Sequence, residues 1–220
     1  NPTMTRMPSN GSIKIICLRL LSAPRKKRYN LFMLDVRPSP IAGTWYEGNK
    51  ETLARVVDNF LNNAQLPVLN GEVVAVIAPH AGHRYSGAVA GYAFAVVKEL
   101  KPDLVAVISP FHNYSNHPLL TTAHDAYGTP LGRIEVDKSA MAELSSHLDI
   151  PITPVFADKE HSLEIELPFL QRALNNEFKL LPIMIRAQEV DVAKKLGLAL
   201  AKVLKDKNAL LVASTDLSHF

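Results

Sequence analysis

The amino-acid sequence predicts an α/β fold: a mostly parallel or mixed central sheet with helices on both faces. Three observations carry this. Residues 73–78, 104–109 and 209–214 are short, continuous runs rich in Val, Ile and Leu. They lack the alternation of a half-buried strand, so each reads as a buried parallel strand. Stretches of helical periodicity lie between such runs, and strands alternating with helices build this class of sheet. The chain of 220 residues, 47% hydrophobic and 20% charged, is also large enough for one such core.

The elements follow in order. Residues 36–46 form a Pro- and Gly-rich lead-in. Asn49 can cap a helix to about residue 63, on which Leu53, Val56, Val57, Phe60 and Leu61 share one face. The strand at 73–78 and a Gly-containing loop come next. A helix over about 86–100 is apolar nearly all round and is expected to pack on the sheet. The strand at 104–109 precedes a further short strand at 119–123. Residues 125–136 read as loop or irregular strand, and Asp137 can cap a helix to about 147. The polar cluster Asp158-Lys159-Glu160-His161-Ser162 leads into a helix that Pro168 should kink or restart. A strand at 178–185, a helix at 189–205 and the strand at 209–214 complete the order.

Residues 1–34 stand apart. They hold seven basic residues, including Arg25-Lys26-Lys27-Arg28, and no acid. This head reads as a basic extension, disordered or not native, with Met33 as the true start. An Arg-rich, acid-free head is also what an organelle transit peptide or a surface-binding tail presents. Residues 35–220 read as one domain carrying 17 basic and 21 acidic residues. That balance gives no basic face for nucleic acid. The last apolar run ends just before Phe220, where a strand–helix unit would continue, so the domain is expected to be C-terminally incomplete. No apolar run is long enough to span a bilayer. Cys17 is the only cysteine, which excludes an internal disulfide and a four-cysteine zinc site and fits a reducing, cytoplasmic compartment. There is no Gly-rich phosphate loop and no Gly-x-Ser-x-Gly elbow, so neither a nucleotide cofactor nor a serine nucleophile is expected.

The chemistry gathers at strand ends. In a parallel sheet all carboxyl ends lie on one edge, and ligands bind outside that edge. His80 follows Pro79 at the end of the first run, and His112 follows Pro110 at the end of the second. Two imidazoles delivered there can bind one metal, with zinc, iron and copper all suited. Asp216 is the nearest carboxylate on a candidate strand end. It completes a two-histidine, one-carboxylate iron site or supports the ligands from behind, or else Ser214-Thr215-Asp216 caps the next helix. His219 reads as a ligand or a general acid/base. His161, three residues before Glu164, reads as half of a metal-ligand pair or as part of a charged first helical turn, with a supporting role behind the ligands. His83, Arg84 and Tyr85 line the same mouth, with Arg84 an anion contact, or form an exposed loop. His117, His124 and His147 have no such context.

Five segments resemble motifs of one family, in the family's order. They are Arg37-Pro38-Ser39-Pro40-Ile41-Ala42-Gly43-Thr44-Trp45-Tyr46, Ala78-Pro79-His80-Ala81-Gly82 and Ser109-Pro110-Phe111-His112. Glu160-His161-Ser162-Leu163-Glu164-Ile165-Glu166-Leu167-Pro168-Phe169 and Ser214-Thr215-Asp216-Leu217-Ser218-His219 follow. Together they are similar to the Memo family, also called AmmeMemoRadiSam system protein B, over about residues 36–220. The resemblance implies a fold like that of the class III extradiol dioxygenases. It implies Fe(II) on His80 and His112, with a later carboxylate, and His219 as acid/base. Some members carry a His-His pair where this chain has His112-Asn113, and some place a cysteine as third ligand; here the third ligand is expected beyond Phe220. A redox or dioxygenase-like enzyme is one expectation, and a non-catalytic peptide- or small-anion-binding module is the alternative. AMMECR-like and radical SAM proteins are partners by family association.

Overall fold

The computed structural model describes residues 34–174 and 176–217, all within the unit Leu34–Phe220. The basic head and His219 lie outside the described residues. The elements are β1 (Val36–Arg37), α1 (Lys50–Asn63), β2 (Ala75–Ala78), α2 (His83–Ala95), β3 (Leu104–Pro110), β4 (Leu119–Thr122), β5 (Ala126–Thr129) and β6 (Gly132–Glu135). They continue with α3 (Lys138–Ser146), β7 (Ile152–Val155), a 3₁₀ turn (Glu164–Glu166), α4 (Leu167–Ala173), β8 (Lys179–Ile185), α5 (Val190–Leu204) and β9 (Ala209–Ser214).

Six strands form the main sheet in the order β2-β9-β3-β8-β4-β7. β3 runs parallel to β8 and β9, β2 parallel to β9, and β4 antiparallel to β8 but parallel to β7, so the sheet is mixed. One core cluster packs α1, α2 and α4 on one face, with Leu53, Phe94 and Phe169 buried. The other packs α3 and α5 on the opposite face through Leu144, Leu196 and Leu200. This is the expected α/β architecture with helices on both faces. No helix among the described residues is long and apolar enough to cross a membrane.

Local chemistry explains the element boundaries. Asn49 caps α1 by accepting from Thr52 N at 2.9 Å, and Asp137 caps α3 by accepting from Ala140 N at 2.9 Å. α1 and α2 approach closely at Gly91, where a Cβ would stand 2.6 Å from the carbonyl oxygen of Phe60. Pro168 marks a restart of the helix rather than a kink in it. It sits in the first turn of α4, where a missing N–H costs nothing, and the 3₁₀ turn precedes it.

Three expectations are corrected, and one strand was not foreseen. Among the described residues β2 is an edge strand rather than a fully buried one, and its Ile77 faces outward, 60% exposed. α2 begins at His83, ends at Ala95 and exposes Tyr85, Val89 and Tyr92, so it is not covered all round. Residues 125–136 form the antiparallel hairpin β5–β6, which joins β1 in a separate three-stranded sheet. β7, at four residues, carried too short a pattern to be foreseen.

Candidate metal centre

β9 lies between β2 and β3, so the carboxyl ends of these three strands are neighbours. His80 follows β2, His112 follows β3, and Ser214 and Asp216 end β9. The segment between β7 and the 3₁₀ turn adds His161 to the same place. The three imidazoles each offer a nitrogen, all within 4.8 Å of one another. His112 and His161 stack at 4.6 Å between centroids, and His80 meets them edge-on at 5.3 and 5.7 Å. Burial grades from His80 inside through His161 to exposed His112, so the group opens to solvent on one side.

The back of each ring is held. Ser214 Oγ donates to Ser162 O at 2.6 Å, which commits its proton. Its oxygen, 3.1 Å from His80 Nδ1, therefore accepts from that ring, and His80 Nε2 carries the free lone pair. His112 Nδ1 lies 2.8 Å from Glu160 Oε1 and donates to it, which frees Nε2 in the same way. His161 Nδ1 is 3.3 Å from the same oxygen, and Trp45 packs on the His161 ring at 4.1 Å.

Glu160 is the organising carboxylate. It is buried, and it also accepts from the backbone N–H groups of His112 (2.6 Å), His161 (3.0 Å) and Ser162 (3.0 Å). Burial alone would raise its pKa, but the backbone and ring hydrogen bonds from His112 and the Ser162 N–H bring it down to about 2. It is therefore an ionised acceptor at neutral pH. Its turn is clamped in turn by buried Arg37, which donates from Nη2 to Glu160 O at 2.7 Å and from Nε to Asp158 Oδ2 at 2.7 Å. Asp158 Oδ1 accepts from Glu160 N at 2.8 Å. Ser162 Oγ donates to Pro110 O at 2.7 Å and ties the turn to the end of β3.

Burial lowers the pKa of His80 and of His161, with Asp216 and Glu160 opposing it respectively, so both rings stay neutral as metal ligation requires. Asp216 accepts from His80 N at 2.7 Å, and its Oδ2 stands 3.7 Å from His80 Nε2, at the edge of the space between the rings. The donor set fits a metal ion: three imidazoles, two of them with Nδ1 turned to an acceptor and Nε2 left free, beside the buried carboxylate of Glu160.

Other sequence-assigned residues go elsewhere. Glu164 does not pair with His161 at a metal; it accepts from Arg37, Ser39 and Tyr46 in the buried network below. His83 turns into the core, 4.9 Å from the Phe169 ring and 5.5 Å from Tyr46, where burial lowers its pKa to about 4. Arg84 is exposed at the start of α2. His161 belongs to the imidazole group itself rather than behind it, so a third imidazole comes from inside the chain. Glu160, Arg37 and Asp158 were not assigned from sequence. The one available signal was a carboxylate adjacent to a histidine in a polar cluster.

A family model described as "Memo-like protein" matches residues 37–220. The chain is 33% identical over 190 residues to a "MEMO1 family protein" of Nitrosopumilus maritimus, covering 84% of this chain and 69% of that one. It is 35% identical to a "MEMO1 family protein" of Aquifex aeolicus, covering 85% and 68%. A "MEMO1 family protein" of Thermotoga neapolitana is 32% identical over 84% and 71%.

Proposed function

This chain belongs to the Memo family, and on that premise we propose that His80, His112 and His161 hold Fe(II) in a dioxygenase-like oxidoreductase. The observation that carries the reading is the set of three ring nitrogens within 4.8 Å of one another. Bound Fe(II) would supply a Lewis-acidic redox centre with open positions for substrate and oxygen. The chain's own residues do the rest. Glu160 holds two of the rings in place and balances cationic charge. Ser214 sets the His80 tautomer. Asp216 stands at the edge of the space between the rings, beside His80, and can accept a proton from a substrate hydroxyl there. His219, three residues on, is assigned the acid/base role. The ligand is a small molecule or peptide, and the setting is cytoplasmic.

Three imidazoles are also a zinc donor set, which supports a second reading as a metal-dependent hydrolase. Metal analysis after anaerobic loading separates the two. One Fe(II) per chain is expected in the wild type, with loss in the His80→Ala/His112→Ala double variant and in His161→Ala. Stoichiometric iron in the double variant would overturn the assignment. Oxygen uptake with catechol-type substrates tests the dioxygenase-like step. Peptide or anion binding that persists in chelator, with no oxygen consumed, would favour a non-catalytic binding module.

A further inference from the structure

A cavity of about 580 Å³ opens at the carboxyl ends of β3, β8 and β9, with His112 on its wall. Phe111, Ile185 and Ala213 give it apolar sides, and Thr215 and Arg186 add polar groups. Its size and mostly apolar lining suit a small organic ligand. It lies where ligands of open α/β sheets bind.

Arg186 is the unusual member. Its Nε is buried and has no hydrogen-bond partner among the described residues, and the residue forms no ion pair among them. Arg37 and Arg172, by contrast, are each paired with carboxylates. A guanidinium that lines a cavity without an ion pair is open to a ligand carboxylate, which can take two parallel hydrogen bonds from it. The backbone here is pinned on both sides. Arg186 N donates to Pro118 O at 2.9 Å, and Ile185 O accepts from Phe111 N at 2.8 Å. The guanidinium is thus delivered from a fixed point beside the metal group. Arg84, the anion contact read from sequence, is exposed and does not line this cavity.

We propose that Arg186 anchors the substrate, a small carboxylate with an apolar body that fills this cavity and presents its other end to the histidine group. This rests on the metal-centre reading only for the orientation of that other end. The test uses protein stripped of metal by chelator and then dialysed free of it, with benzoate as probe and benzamide as its neutral counterpart, read by calorimetry. Benzoate is expected to bind, and benzamide to bind about tenfold or more weaker. Arg186→Gln should lose about tenfold or more of the benzoate affinity, and Arg186→Lys should keep part of it as a charge without the fork. No benzoate binding at millimolar concentration, equal affinity for benzamide, or unchanged affinity in a folded Arg186→Gln would overturn the proposal. The benzamide comparison and Arg186→Lys decide it if Arg186→Gln does not fold. Cobalt(II) titration of the wild type tests the metal reading separately, since it does not involve Arg186.

Discussion

The two sides of the histidine group are held by different chemistry. On the β2 side, His80 rests on a neutral hydroxyl, Ser214 Oγ, whose own proton goes to a backbone carbonyl. On the other side, His112 and His161 share one ionised carboxylate, and that carboxylate's turn is clamped by a buried Arg37 bound to Asp158 and Glu164. A neutral support holds one ring and can be weakened alone. A charged support couples two rings to the fold, because removing any charge strands its partner in a buried place. The β2 side is therefore adjustable, and the Glu160 side is structural and functional at once.

Breaking the charged side at its root has the largest expected effect. Arg37→Ala leaves Asp158 and Glu164 buried without their cation and should cost about 3–5 kcal/mol, read by denaturant unfolding. A loss below about 1 kcal/mol would mean that the network is not a clamp. Glu160→Gln keeps the shape but removes the charge, and metal affinity should fall about 10–100-fold by titration. Its pH signature follows from the sign of the shift. The folded pKa of about 2 lies below the ordinary 4.5, so the stabilisation is complete above 4.5 and is lost as pH falls toward 2. The stability gap between wild type and Glu160→Gln should close over that window, and a gap that persists at pH 2 would contradict it.

On the neutral side the effects are smaller. Ser214→Ala removes one hydrogen bond to His80, worth about 0.5–1.5 kcal/mol, so metal affinity should fall no more than about tenfold. A loss as large as that of Glu160→Gln would erase the contrast between the two sides. The smallest effect is at Glu166, a fully buried carboxyl beside Ser214. Burial raises its pKa, so the folded state keeps a proton that the unfolded chain releases above about 4.5, and stability falls as pH rises beyond that. Glu166→Gln should raise Tm by about 2–4 °C at pH 8 and not at pH 4, the shift of about 1 kcal/mol in a domain of this size.

Much of the fold was legible because it rests on local signals. Asn49 and Asp137 cap helices because their side chains meet backbone N–H groups three residues on. The apolar runs at 73–78, 104–109 and 209–214 contain β2, β3 and β9, as short continuous runs of Val, Ile and Leu predict. Weak spots were those where neighbours decide. β2 looked buried from composition, yet lies at a sheet edge among the described residues. The β5–β6 strands are four residues each and show no period long enough to read.

For the site, the sequence by itself determined that histidines follow strands at His80 and His112, since Pro and small residues end an apolar run where a parallel sheet exposes its carboxyl edge. It put His80 among the ligands but left His83, three residues on, at the mouth of the site or in an exposed loop. Only packing turned one toward the shared edge and the other into the core against Phe169. Nor could it bring His161 to the group or join Arg37 to Glu160, because 123 residues of chain separate that last pair. Those contacts exist because β9 inserts between β2 and β3 and the 160 turn folds over their ends. The order of strands in a sheet is a property of the whole core and has no local pattern that records it.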